Sequence, residues 1–101
     1  MVNWTANQWN NGFTADLRVT NRGPALTSWT LTWSFTGNQQ ITNAWNAQVT
    51  QSGRNVTARN VAWNGSLPTN GTVTFGLQAT YSGTNDRPTD FRLNNTPCQT
   101  G

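Results

Sequence analysis

Ser28-Trp-Thr-Leu-Thr-Trp-Ser-Phe-Thr36 alternates without a fault: Trp29, Leu31, Trp33 and Phe35 hold one parity, and Ser28, Thr30, Thr32, Ser34 and Thr36 hold the other. Successive side chains of an extended chain point to opposite faces, so this stretch is a strand with one strongly apolar face and one hydroxyl face. Burying four large apolar side chains is worth about 25 cal/mol for each Å2 removed from water. That face is therefore the expected centre of the core, with Trp29 and Trp33 as structural residues.

Outward from this strand, period two persists and no segment of useful length shows the helical period. Upstream, Val2, Trp4 and Ala6 alternate with Asn3, Thr5, Asn7 and Trp9, which places Asn7 and Trp9 on the outward face of a first strand. Asn11-Gly12 is expected to turn the chain as a hairpin, and Phe13, Ala15, Leu17 and Val19 return inward until Asn21-Arg-Gly-Pro24 ends the second strand. Downstream, Ile41 and Val49 ask for the core while Asn43 and Trp45, at the same parity, ask for water. A bulge or loop that turns Trp45 outward resolves the conflict. Val56 and Ala58 mark a short strand; Asn70-Gly71 opens another with Val73, Phe75, Leu77 and Ala79 inward and Thr74, Gly76 and Gln78 outward. Gly76 leaves a flat spot between two polar side chains. A loop over Tyr81-Ser-Gly-Thr-Asn85 precedes a last strand at Phe91 and Leu93. Short strands at this spacing, divided by Gly, Pro and Asn, read as an all-β antiparallel sandwich, with residues 1–101 forming one domain.

Some tryptophans do not fit the core. Trp63 stands in Val61-Ala-Trp-Asn-Gly-Ser-Leu-Pro68, where Asn64-Gly65 is a turn signal and Pro68 prevents a central strand. Trp9 stands in Asn7-Gln-Trp-Asn-Asn-Gly12, and Trp45 in Thr42-Asn-Ala-Trp-Asn-Ala47, each among amides. Exposed indoles in polar frames suggest a single aromatic platform. The axial C–H bonds of a β-linked pyranose form an apolar, weakly positive face suited to an indole, while equatorial hydroxyls reach outward to amides. Asn7, Asn43 and Gln78 are placed to supply those amides.

Composition points the same way. Only 9% of the 101 residues are charged, Lys, Glu and His are absent, and the formal charge of +3 comes from scattered arginines. Such a surface suits an uncharged polyhydroxylated partner. Nucleic-acid binding is not expected, because single-strand binders pair stacking rings with a cationic groove. Catalysis has little to work with: glycoside hydrolysis needs two carboxylates across a cleft, and Asp16, Asp86 and Asp90 do not suggest one. Without His no triad or redox copper site is available, and Asp86 with Asp90 makes a poor calcium cage. No metal, cofactor or membrane partner is expected. Cys98 is the single cysteine, either a plain thiol or half of a bridge whose partner lies outside this chain.

Asn7-Gln-Trp-Asn-Asn-Gly-Phe13, Ser28-Trp-Thr-Leu-Thr-Trp33, Gln39-Gln-Ile-Thr-Asn-Ala-Trp45, Ala62-Trp-Asn-Gly-Ser-Leu-Pro68, Gly83-Thr-Asn85 and Asn95-Thr-Pro-Cys98, taken in order, closely resemble the family-2 carbohydrate-binding modules attached to bacterial cellulases and xylanases. The resemblance spans essentially the whole chain. It implies an immunoglobulin-like, jelly-roll-like β-sandwich, extracellular and monomeric, that binds crystalline cellulose through three surface tryptophans at Trp9, Trp45 and Trp63 and holds a tethered catalytic domain near its substrate. Polar partners in the family correspond to Asn7, Asn43, Thr74 and Gln78. The resemblance further implies that Cys98 bridges a cysteine a few residues before Trp4, which this chain lacks. It also implies a role for Gly12: an arginine there in xylan-binding relatives props the first tryptophan upright, whereas glycine lets Trp9 lie flat. Xylan or chitin binding, and a protein-interaction sandwich using the same apolar patch, are the alternatives.

Overall fold

The computed structural model describes residues 1–100. The alternating segments become nine strands, β1 (Val2–Trp9), β2 (Gly12–Thr20), β3 (Thr30–Ser34), β4 (Gln40–Trp45), β5 (Gln48–Ser52), β6 (Asn55–Arg59), β7 (Thr72–Thr80), β8 (Arg92–Leu93) and β9 (Thr96–Pro97), with no helix among the described residues. They form two antiparallel sheets, a four-stranded one in the order β1-β2-β7-β4 and a five-stranded one in the order β5-β6-β3-β8-β9. The expected sandwich is thus present.

The faultless alternation of residues 28–36 does what its parity demands. Only Thr30–Ser34 pair as β3, yet Trp29, Leu31, Trp33 and Phe35 are all buried. Facing them from the four-stranded sheet are Trp4, Phe13, Leu17, Phe75 and Leu77. Rings meet across the two layers: Trp29 stacks on Phe75 at 5.6 Å, and Trp4 meets Trp33 edge-on at 6.2 Å. Such pairs add about 0.5–1.5 kcal/mol each beyond their buried area. Aromatic rings continue to the hairpin end, where Phe13 meets Phe35 and Tyr81, whereas Val2, Val19 and Val73 fill the opposite end.

Local details differ from the sequence expectations in instructive ways. The first hairpin turns at Asn10-Asn11, not Asn11-Gly12, because Asn11 itself takes the left-handed conformation (φ 70). Gly12 is released from the turn and opens β2 as the partner of Trp9. The turn near Trp63 is likewise earlier than Asn64-Gly65. It spans Val61 to Asn64, closed by the Asn64 N–H donating to the Val61 carbonyl at 3.3 Å and by the Val61 N–H donating to Asn64 Oδ1 at 2.9 Å. Ala6 has inward parity but is exposed, like the rest of β1 beyond Trp4.

The expected bulge is present, at Thr42. Ile41 pairs with Ala79 and Asn43 with Gln78, so Thr42 is an extra residue on β4 and parity flips beyond it. The Thr42 hydroxyl donates to the Gln78 carbonyl at 3.2 Å, using the acceptor beside the irregularity. Ile41 and Ala44 then both pack toward the core, while Asn43 and Trp45 face solvent. Asn46 (φ 61) ends β4 and swings the chain to β5 in the other sheet.

Candidate functional site

The outer face of the four-stranded sheet is built row by row from its register. One row is Trp9, Gly12 and Thr80; the next is Asn7, Thr14, Gln78 and Asn43; the third is Thr5, Asp16, Gly76 and Trp45; the fourth is Asn3, Arg18 and Thr74. The sequence-nominated amides Asn7, Gln78 and Asn43 thus fall in one line across the sheet. That line separates the row of Trp9 from the row of Trp45. Thr74 lies one row beyond Trp45, on the side toward Asn46.

Trp9 and Trp45 sit on opposite edge strands, and each is paired across its ladder with a glycine. A Cβ built at Gly12 would meet Nε1, Cε2 and Cζ2 of Trp9 at 2.6, 2.9 and 3.1 Å. A Cβ at Gly76 would fall still closer to the same three atoms of Trp45. Each indole therefore leans inward from its edge strand and lies on the bare backbone of the neighbouring strand. Both glycines are buried although they belong to the solvent-facing side, because a ring covers each of them. The two rings keep 47% and 40% of their residue surface exposed, so one flat face is packed and the other is offered.

Trp63 is the most exposed large apolar residue, at 76%. Its turn is held from beneath and from the side. The indole N–H of buried Trp29 donates to the Asn64 carbonyl at 2.8 Å, and Asn64 Nδ2 donates to the Asn46 carbonyl at 2.7 Å, next to Trp45. Asn60 contributes by accepting from the Trp29 N–H at 2.9 Å and donating to the Val61 carbonyl at 3.1 Å. Gly65 is required by close packing, since a Cβ there would meet Asn60 Nδ2 at 2.8 Å and the Thr27 carbonyl at 2.9 Å. At the other end, the Tyr81 hydroxyl donates to the Trp9 carbonyl at 2.9 Å and steadies the end of β1.

Sequence reasoning singled out the three exposed tryptophans and the amides but passed over Thr14 and Asp16, which the register sets between and beside the rings. Only strand parity pointed to them, and parity marks every outward residue alike. No group of three or more His, Cys, Asp or Glu able to hold a metal exists among the described residues. The cleft of about 380 Å3 lined by Met1, Asn21, Leu26, Leu93 and Cys98 lies at the end where the termini meet, away from the tryptophans.

The two-layer sandwich exposes indoles and amides on the outer side of its four-stranded sheet. The family model described as Cellulose binding domain matches residues 1–98, and the chain belongs to this family, the family-2 carbohydrate-binding modules. Exoglucanase A of Cellulomonas fimi is 44% identical over 101 residues, a match covering 99% of this chain and 12% of that protein. The chain thus spans a small fraction of the length of this relative. The solution structure of the chitin-binding domain of Chi18aC from Streptomyces coelicolor superposes with a TM-score of 0.74 at 35% identity, covering 96% of this chain and 91% of that one. The solution structure of the cellulose-binding family 2 carbohydrate binding domain from ScLPMO10C gives a TM-score of 0.66 at 37% identity, covering 90% and 89%. The chain is a non-catalytic carbohydrate-binding module of the kind found in cellulases, and its exposed tryptophans fit a binding surface.

Proposed function

We propose that the outer face of the four-stranded sheet binds crystalline cellulose, with Trp9, Trp45 and Trp63 stacking on pyranose faces and Asn7, Asn43, Gln78 and Thr74 hydrogen-bonding to hydroxyls. The observation that carries this reading is the pair of cross-strand tryptophan–glycine contacts, which hold two rings down on the sheet. A line from the ring over Gly12 to the ring over Gly76 passes between Thr14 and Gln78, with Asn7 one strand to one side and Asn43 one strand to the other. Strands lie about 4.8 Å apart, so these flanking amides reach past a single glucan chain toward its neighbours in a crystal face. Gly12 is the residue that lets Trp9 lie flat. In this reading the module is monomeric and extracellular, and it concentrates an attached polysaccharide-degrading enzyme on its insoluble substrate.

A second reading, crystalline chitin, is favoured by the likeness to the chitin-binding domain from Streptomyces coelicolor. Chitin shares the β-1,4-linked pyranose faces and differs in its acetamido groups. Depletion of the protein from solution by washed microcrystalline cellulose, run beside crystalline chitin and xylan, separates the readings. Cellulose should deplete it most strongly. Depletion by chitin alone transfers the site to the second reading, and depletion by none of the three removes the polysaccharide surface as its partner.

A further inference from the structure

We infer that Gly76 is a specificity-determining positioning residue, whose missing side chain sets the height and tilt of Trp45 and so selects an extended flat ligand over a single soluble chain. The inference rests on the proposed binding face and deepens it.

Gly76 has no conformational reason to be glycine. It lies in the middle of β7, paired with Asp16 on one side and Trp45 on the other, and it is not among the residues of positive φ. Glycine inside a strand weakens the strand through entropy and lost packing, so its presence asks for a compensating gain. The gain is contact with the ring. Nε1, Cε2 and Cζ2 of Trp45 all occupy the space a Cβ would fill, and the ring covers Gly76 so that it is buried on an otherwise wet face. Carbon atoms rest about 3.5–4 Å apart, so even a methyl group at 76 forces the indole up or aside by more than about 1 Å.

Such a displacement matters unequally for different ligands. A crystal face is rigid and engages the rings together, so one ring lifted from the common plane breaks the contact of its neighbours. A free oligosaccharide bends and rotates about its linkages and can follow a displaced ring. Three features confine Trp45 so that height is the variable left to position 76: the Thr42 bulge sets its outward parity, Asn46 (φ 61) ends the strand immediately after it, and Asn64 Nδ2 holds the Asn46 carbonyl at 2.7 Å.

The test is a double-mutant cycle between Gly76→Ala and Trp45→Ala, read by adsorption isotherms on microcrystalline cellulose and on crystalline chitin and by titration with soluble cellohexaose. Gly76→Ala alone should lower affinity for the crystalline polymer roughly tenfold, the scale of one compromised stacking contact. Cellohexaose affinity should change less than about twofold. In the Trp45→Ala background the same substitution should have no further effect. An equal loss with and without the tryptophan, or an equal loss for crystal and soluble chain, overturns the proposal. The indole Nε1–H resonance of Trp45 in Gly76→Ala, measured with no polysaccharide, reads the displacement itself: a clear shift is expected, and an unmoved resonance overturns the packing argument. That measurement stays decisive even if the parent adsorbs to no polysaccharide, an outcome that would refute the binding face and not the contact. The Trp45→Ala/Gly76→Ala protein contains no clash, so a melting temperature restored toward that of Trp45→Ala distinguishes ring displacement from general damage to β7.

Discussion

Six tryptophans divide into two physical classes, and the dividing line is what covers each ring. Trp4, Trp29 and Trp33 are buried in the core, whereas Trp9 and Trp45 are covered on one face by a glycine, and Trp63 stands on a turn. Truncation should therefore separate the two classes cleanly. Trp63→Ala should weaken adsorption by about 1–3 kcal/mol, the range for a stacked ring, with little change in melting temperature. Trp33→Ala should cost about 3–5 kcal/mol of stability through the cavity it leaves. Thermal melts beside adsorption isotherms on microcrystalline cellulose check both; a Trp63→Ala protein that melts far lower yet binds as before would sink the assignment. This partition could be read in advance, because turn-forming amides surround the exposed rings while strict alternation surrounds Trp29 and Trp33. The glycine beneath Trp45 could not. Trp45 and Gly76 are 31 positions apart, and only the register of β4 on β7 brings them together. The turn at Asn10-Asn11 was also hidden, since Asn and Gly both tolerate positive φ and the sequence Asn-Asn-Gly admits either division.

At the level of elements, the bulge at Thr42 is a parity corrector. Ile41 ahead of it and Ala44 behind it both face the core, an arrangement no regular strand allows. The pairings on either side, Ile41 with Ala79 and Asn43 with Gln78, are already adjacent on β7. Deleting Thr42 should therefore yield a regular strand that still points Trp45 outward, with adsorption largely retained and stability changed by no more than about 1.5 kcal/mol for the lost hydroxyl bond. Deleting Ala44 instead should move Trp45 onto the core side, because a one-residue slip inverts every later side chain. That protein should lose both adsorption and thermal stability. Equal tolerance of the two deletions would show that β4 does not fix the ring. The conflict of parity over Ile41 to Trp45 was visible in the sequence. Its location was not, because any of several intervening residues could have been the extra one.

For the molecule as a whole, the proposed binding face and the core are one mechanical system. The indole N–H of Trp29 supports the turn that carries Trp63, so the third ring is ordered as the sandwich folds and little ordering remains to be done on contact. The proposed contacts are stacking and neutral hydrogen bonds, and Asp16 and Arg18 are the charges that the register places on the face. Adsorption to cellulose should consequently change less than about twofold between low and high sodium chloride, because no array of ionic contacts is released or screened. Isotherms at two salt concentrations check this, and a steep loss at high salt would point to a charged partner instead.

The start of the chain gives the proposed face a direction of pull. Val2 forms a parallel bridge with Thr100, and its N–H donates to the Gln99 carbonyl at 2.8 Å, so the first and last described residues run side by side in the same direction. They do so at the end of the sheet where Val2 meets Val19, opposite the hairpin that joins Trp9 to Gly12. Trp45 stands two rows from that hairpin, toward the chain ends. In the proposed binding mode, a load applied through Met1 along the line of β1 runs parallel to the sheet face, as shear, and is shared among the rings. A peeling load would strip the rings one after another. Anything moored there would drag the proposed grip sideways across a surface, a geometry that resists sudden detachment yet permits sliding.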